Sequence, residues 1–232
     1  KWGMGGFEST GSPLKQGFER FLGITSQWVA HSHYPAFIQD DGRKVPLDNG
    51  VNGIPGHANF PDNADPADPR SFAPFIGRDF SSDHTIAGAE DFIAKSAAQP
   101  FFLYYAEHSV HEPFDPKPEL LAKYRKKTPE GLDQGVTPEY AATVEAVDAS
   151  IGRIMAKLES LGLTKDTLVI FTSDNGGLPY VVNPLRGSKG LLYEGGIRVP
   201  GAVSWPGTIP AGKSFDEPVA SIDFMPTILE AA

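Results

Sequence analysis

An α/β fold is predicted for this chain by the way apolar strand segments alternate with amphipathic helical ones. Three segments carry that prediction. Phe101–Ala106 (FFLYYA) is apolar at nearly every position, the pattern of a strand buried on both faces. Thr137-Pro138 opens the longest helix, with Thr as N-cap and Pro at the first helical position. Thr167–Gly177 (TLVIFTSDNGG) is a β-branched and aromatic run, read as a buried strand, that stops at Asp174-Asn175-Gly176-Gly177.

From Lys1 to about Ser82 the chain is rich in turn signals: Asp41-Gly42, Asn49-Gly50, Asn52-Gly53 and Pro55-Gly56. Asp41-Gly42 centres a short hairpin over Gln39–Pro46. Asn59–Arg70, with its several Asp and Pro residues, reads as a surface loop. A helix is predicted through Ala87–Ala98, capped by Asp83 or Thr85, with Ile86, Phe92 and Ile93 as core residues. Pro118–Lys126 is a short basic helix. In the long helix the apolar stripe is Val144, Val147, Ile151, Ile154, Met155 and Leu158, and Gly162 stops it. A glycine-rich loop fills Gly177–Gly196, Gly201–Trp205 is a further strand, and Ser221–Ala232 is a helix. No internal repeat is visible.

At 232 residues the chain is long enough for one sizeable core. A net charge of −9 argues against nucleic-acid binding, which calls for a basic face. With no Cys, these residues contain no disulfide, thiolate zinc site or cysteine nucleophile. No apolar run is long enough to span a bilayer. There is neither an initiating Met nor a signal-peptide pattern, and the abrupt start at Lys1-Trp2-Gly3-Met4-Gly5 reads as the interior of a longer protein.

Three clusters carry candidate chemistry. Asp174 and Asn175 offer hard oxygen donors at the end of a strand, where α/β sheets place ligands. The same Asn175-Gly176 is also the strongest short signal for a hairpin turn. His108-Ser109-Val110-His111-Glu112-Pro113 supplies two imidazoles that orient an anion, act as general acid or bind metal, unless they are ordinary loop histidines. Arg186-Gly187-Ser188-Lys189-Gly190, followed by Tyr193–Pro200, combines close backbone approach with a compact cation for a tetrahedral oxyanion. It is not a P-loop, because the glycine spacing and the trailing hydroxyl are wrong. His31, His33 and Tyr34 are either substrate-side groups or surface loop residues.

Taken in order, Lys1–Gly5, Gln16-Gly17-Phe18, Phe101–Pro113, Phe171–Gly177, Gly187–Pro200, Trp205-Pro206-Gly207 and Ser221–Thr227 resemble the formylglycine-dependent sulfatases over nearly the whole chain. The resemblance implies an alkaline phosphatase-like α/β/α sandwich with a mixed, mostly parallel central sheet. Residues 1–232 would then form the central part of a single catalytic domain. It also implies Asp174 and Asn175 as ligands of Ca²⁺ or a similar cation. Lys1, Lys189 and His111 become the sulfate-contacting and catalytic residues, with His108 a weaker substrate-binding candidate. The substrate would be a small-molecule or carbohydrate sulfate ester, and a periplasmic or secreted location is favoured.

Two departures qualify the resemblance. Gly3 stands where many members carry a His that assists the formylglycine hydroxyls. No Cys/Ser-x-Pro-x-Arg motif occurs between Lys1 and Ala232, so the formylglycine and further metal carboxylates are expected upstream, and the chain alone is expected to be inactive. The competing readings are a phosphodiesterase or phosphonate monoester hydrolase of the same fold, and a metal-binding pseudoenzyme.

Overall fold

The computed structural model describes residues 1–54, 70, 73–127, 132, 135–179 and 181–232, which form two compact units, Lys1–Lys157 and Leu158–Ala232. The surface loop expected over Asn59–Arg70 and the turn at Pro55-Gly56 lie almost wholly outside the described residues.

In the first unit, β1 (Leu22–Gly23), β2 (Phe37–Asp40) and β3 (Arg43–Pro46) form an antiparallel sheet. Asp41 and Gly42 join β2 to β3 with φ of 49° and 92°. Two consecutive left-handed residues make the type I′ turn expected of Asp-Gly, whose twist matches the paired strands. The sheet's inner face buries Ile24, Ala30, Ile38 and Leu47, flanked by Leu22 and Val45. β1 has only two residues, too short for its pairing to be legible as a strand.

Helix α1 (Ser81–Ser96) starts earlier than the sequence predicts, and neither Asp83 nor Thr85 caps it. Its first turn is tied down from outside instead: Ser81 donates to the His33 carbonyl through both N–H (2.8 Å) and Oγ (2.9 Å). Ile86, Ala89 and Ile93 are buried at helical spacing, and Phe92 meets Phe101 edge-on at 5.9 Å. Phe101–Ala106 is extended but joins no ladder among the described residues. Its side chains alternate, with Phe102 and Tyr104 exposed, so the segment covers the molecule with one face rather than two.

Helices α2 (Pro118–Arg125) and α3 (Pro138–Ser160) match expectation in extent. Tyr140 N–H donates to Thr137 Oγ1 at 3.2 Å, the predicted cap. The buried stripe of α3 follows the apolar one only in part: Leu158 is buried and Val147, Ile151, Ile154 and Met155 are half-buried, but Val144 is exposed, whereas Glu139, Ala142, Thr143 and Ser150 are buried. Arg125 satisfies the buried Glu139 at 2.8 Å, and the Thr143 and Ser150 hydroxyls donate to the Glu139 and Ala146 carbonyls one turn back. Small polar side chains therefore enter this interface without an unpaired group.

In the second unit, β4 (Val169–Thr172) pairs antiparallel with β5 (Gly201–Ser204), Val169 opposite Ser204 and Thr172 opposite Gly201. Between them lies the glycine-rich loop with the short helix α4 (Glu194–Ile197), and α5 (Phe224–Ala231) follows a 3₁₀ turn at Ser221–Asp223. β4 is half-buried to exposed rather than buried, and β5 is exposed throughout. Every ladder among the described residues is antiparallel, so the parallel pairings expected of the central sheet are not seen there.

Candidate active site

The first unit gathers Lys1, His108 and His111 around the end of the extended segment 101–106. The Lys1 backbone nitrogen donates to the Ala106 carbonyl at 2.6 Å, while Trp2 and Gly3 N–H groups donate to the Ile24 and Thr25 carbonyls. These bonds carry the start of the chain along the sheet margin. Gly3 has φ +81°, a conformation that suits glycine, and its α-carbon faces Gln27. His111 is half-buried, and its Nδ1–H donates to the Glu112 carbonyl at 2.7 Å. Its ring stacks on that of His31 at 3.9 Å between centroids and 15° between planes.

Behind His111 lies a buried polar network. Glu107 accepts hydrogen bonds from Ser82 Oγ, Tyr105 Oη and the N–H groups of His108 and Ser109, at 2.8–3.2 Å. Burial opposes charge on Glu107, but the pull of the His108 ring and these donors hold its carboxyl below the usual range. His108 sits with Nε2 3.0 Å from Ser81 Oγ. Burial, aided by the charges of His33 and Lys1 and resisted by Glu107, takes its pKa down to about 3, so the ring is neutral at pH 7. His33 is fully buried and paired with Asp115. Burial works against a charged His33, yet Asp115 and Glu107 outweigh it and raise the pKa. Burial raises that of Asp115 in turn. The pair therefore keeps one proton to above the ordinary imidazole range.

This network clamps the His111 loop from both ends, through Glu107 on one side and Asp115 on the other. Asp115 also accepts the His33 N–H at 3.3 Å, and Ser109 Oγ lies 3.5 Å from His33 Nε2. His33 and Tyr34 are thus core residues, neither substrate-facing nor on the surface. Sequence reading missed Glu107, Asp115 and Ser81. The one available signal was the abundance of titratable residues around the end of the apolar segment 101–106.

In the second unit the Asp174-Asn175 turn is locked to the Lys189 loop. Gly176 N–H donates to the Gly196 carbonyl and Lys189 N–H to the Gly177 carbonyl, both at 2.9 Å, and Gly195 N–H donates to the Arg186 carbonyl at 2.8 Å. A side chain on Gly176 would overlap the Gly195 carbonyl, and one on Gly196 the Leu191 carbonyl. Glycine here permits backbone to approach backbone. Asn175-Gly176 is therefore not a two-residue hairpin turn: β4 pairs with β5, some thirty residues later, and the intervening loop folds back on the turn. Asp174 and Lys189 are exposed and Asn175 half-buried. A carboxylate and an amide oxygen suit a hard cation. They fit as part of a coordination sphere only, since no group of three or more His, Cys, Asp or Glu capable of holding a metal occurs among the described residues.

The chain has relatives among known proteins. The sulfatase family profile matches residues 1–232. Arylsulfatase A of Homo sapiens is 33% identical over 253 aligned positions, covering all of this chain and 44% of the human protein. A sulfatase of Formosa agariphila is 42% identical over 148 residues, covering 59% of this chain and 26% of that protein. Among solved structures, Ps i-CgsB in complex with k-i-k-neocarrahexaose superposes with a TM-score of 0.72 and 26% identity, over 96% of this chain and 47% of that one. The chain spans less than half the length of these relatives. It belongs to the sulfatase family and shares the α/β, alkaline phosphatase-like fold of its structural relatives.

Proposed function

We propose that this chain forms the central part of the catalytic domain of a sulfuric ester hydrolase, and that its nucleophile lies outside these residues. The observation that supports this most is the co-ordered set Lys1, His111, Asp174, Asn175 and Lys189 in a chain matched from end to end by the sulfatase family. In the first unit, Lys1 and His111 hold sulfate oxygens. Because His111 Nδ1–H is given to the Glu112 carbonyl, Nε2 is the nitrogen left to take up a second proton, and in the imidazolium form it donates that proton to the leaving alkoxide. His108, neutral and buried, positions the loop. In the second unit, Lys189 supplies charge to a tetrahedral oxyanion. Asp174 and Asn175 would hold a Ca²⁺ or similar ion, which when bound would polarise the S–O bonds. A formylglycine would supply the attacking hydroxyl.

The substrate class in this reading is a small-molecule or carbohydrate sulfate ester; the neocarrahexaose held by Ps i-CgsB, a protein 26% identical to this chain, supports including the latter. The test is hydrolysis of an aryl sulfate and the matching aryl phosphate, by the chain as given and by a longer form carrying its native upstream region. We expect no turnover by the former and sulfate-selective turnover by the latter. Turnover by the chain alone sinks the idea of an outside nucleophile, and a preference for phosphate points to the sister phosphoester chemistry.

A further inference from the structure

Trp28 is 68% exposed, and its ring lies 6.4 Å from that of His31, inclined by 51°. His31 in turn stacks on His111, so a single imidazole separates the exposed indole from the proposed sulfate-contacting residue. The row is anchored through the backbone. Trp28 leads into the 3₁₀ turn Val29–His31, where Ala30 and His31 are buried and the Ala30 N–H donates to the Ser26 carbonyl at 3.1 Å. A polar edge runs beside it: Gln27 Nε2 stands 3.4 Å from His31 Nε2, and Gln27 Oε1 faces the bare α-carbon of Gly3.

An apolar indole face beside an amide and two imidazoles is amphipathic in the way a sugar ring is. Its C–H face packs on an aromatic plane while its hydroxyls take hydrogen bonds at the rim. A planar aryl sulfate or a lipid chain would have no use for Gln27. Gln27 is exposed, so its amide can meet a hydroxyl.

We infer that Trp28, His31 and Gln27 form a saccharide subsite next to His111, so that the sulfate ester recognised here is carried on a sugar ring stacked against Trp28. The inference rests on the assignment of His111 to the sulfate. Trp28 is a specificity residue: it contributes to affinity for the sugar, and His31 positions both rings.

The experiment titrates the chain with inorganic sulfate, a galactose-sulfate disaccharide and the same disaccharide without sulfate. His111 imidazole and Trp28 indole resonances are followed by ¹H–¹⁵N NMR in wild type, Trp28→Ala and Trp28→Phe. The sulfated disaccharide is expected to shift both residues. Trp28→Ala should lower its affinity relative to inorganic sulfate about tenfold, as for an aromatic anchor covered by its ligand, with Trp28→Phe recovering most of the loss. An unchanged affinity ratio in Trp28→Ala overturns the subsite while leaving the sulfate assignment intact. Failure of inorganic sulfate to move His111 in the wild type overturns the sulfate assignment, and the subsite with it.

Discussion

His33 and His108 lie 5.0 Å apart, ring to ring, yet their surroundings drive them in opposite directions. His108, with a folded pKa of about 3, takes up no proton while the unfolded chain takes one near pH 6.5. The unfolded state then binds more protons, and stability falls as pH drops from 6.5 toward 3, by up to about 1.4 kcal/mol per pH unit from this group. His33 behaves oppositely: its folded pKa is raised, so its contribution is full below pH 6.5 and is lost as pH rises through the folded value. Stability of the first unit should therefore peak near pH 6.5. Urea denaturation followed at pH 5.0, 6.5 and 8.0 checks this. His108→Gln should flatten the limb between pH 5 and 6.5, where carboxylates hardly titrate, and His33→Gln the limb above it. A limb that keeps its slope in the matching variant refutes the assignment.

Elements were legible wherever local chemistry decides them. Asp41-Gly42 specified its hairpin because only a left-handed pair closes a two-residue turn with the right twist. Thr137-Pro138 specified the start of α3 through a cap made within three residues. Thr137→Ala should accordingly cost about 1 kcal/mol, read as a shift of the urea midpoint. Where distant residues decide, the pattern misled. The start of α1 is set by the His33 carbonyl, some fifty residues earlier, not by Asp83 or Thr85. Phe101–Ala106 looked two-sided because aromatic residues occupy its exposed positions as well as its half-buried ones. At the site, Lys1, His111, Asp174, Asn175 and Lys189 could be singled out from type and order alone. Trp28, Gln27 and the supporting Glu107 and Asp115 could not, since their significance arises from which loops meet.

For the molecule as a whole, the glycine-packed turn that carries Asp174 makes a binding prediction. If Asp174 and Asn175 contribute to a cation site, Ca²⁺ at a hundredfold excess over its Kd should stabilise the fold by about 2.7 kcal/mol, and Asp174→Ala should abolish that gain. Differential scanning calorimetry with and without the ion decides it, and equal shifts in both proteins would exclude Asp174 as a ligand. The second unit has a further property. Val203 on β5, Ile222 before α5, and Met225 and Leu229 on α5 all stand in solvent, as does Phe215 in the loop between. So much uncovered apolar surface makes the purified chain a poor colloid. Dynamic light scattering should show particles growing with concentration and with added ammonium sulfate before any helical signal is lost, and Met225→Lys with Leu229→Lys should delay that growth. The handling limit of this polypeptide would then be set by the oiliness of its last seventy-odd residues rather than by its melting point.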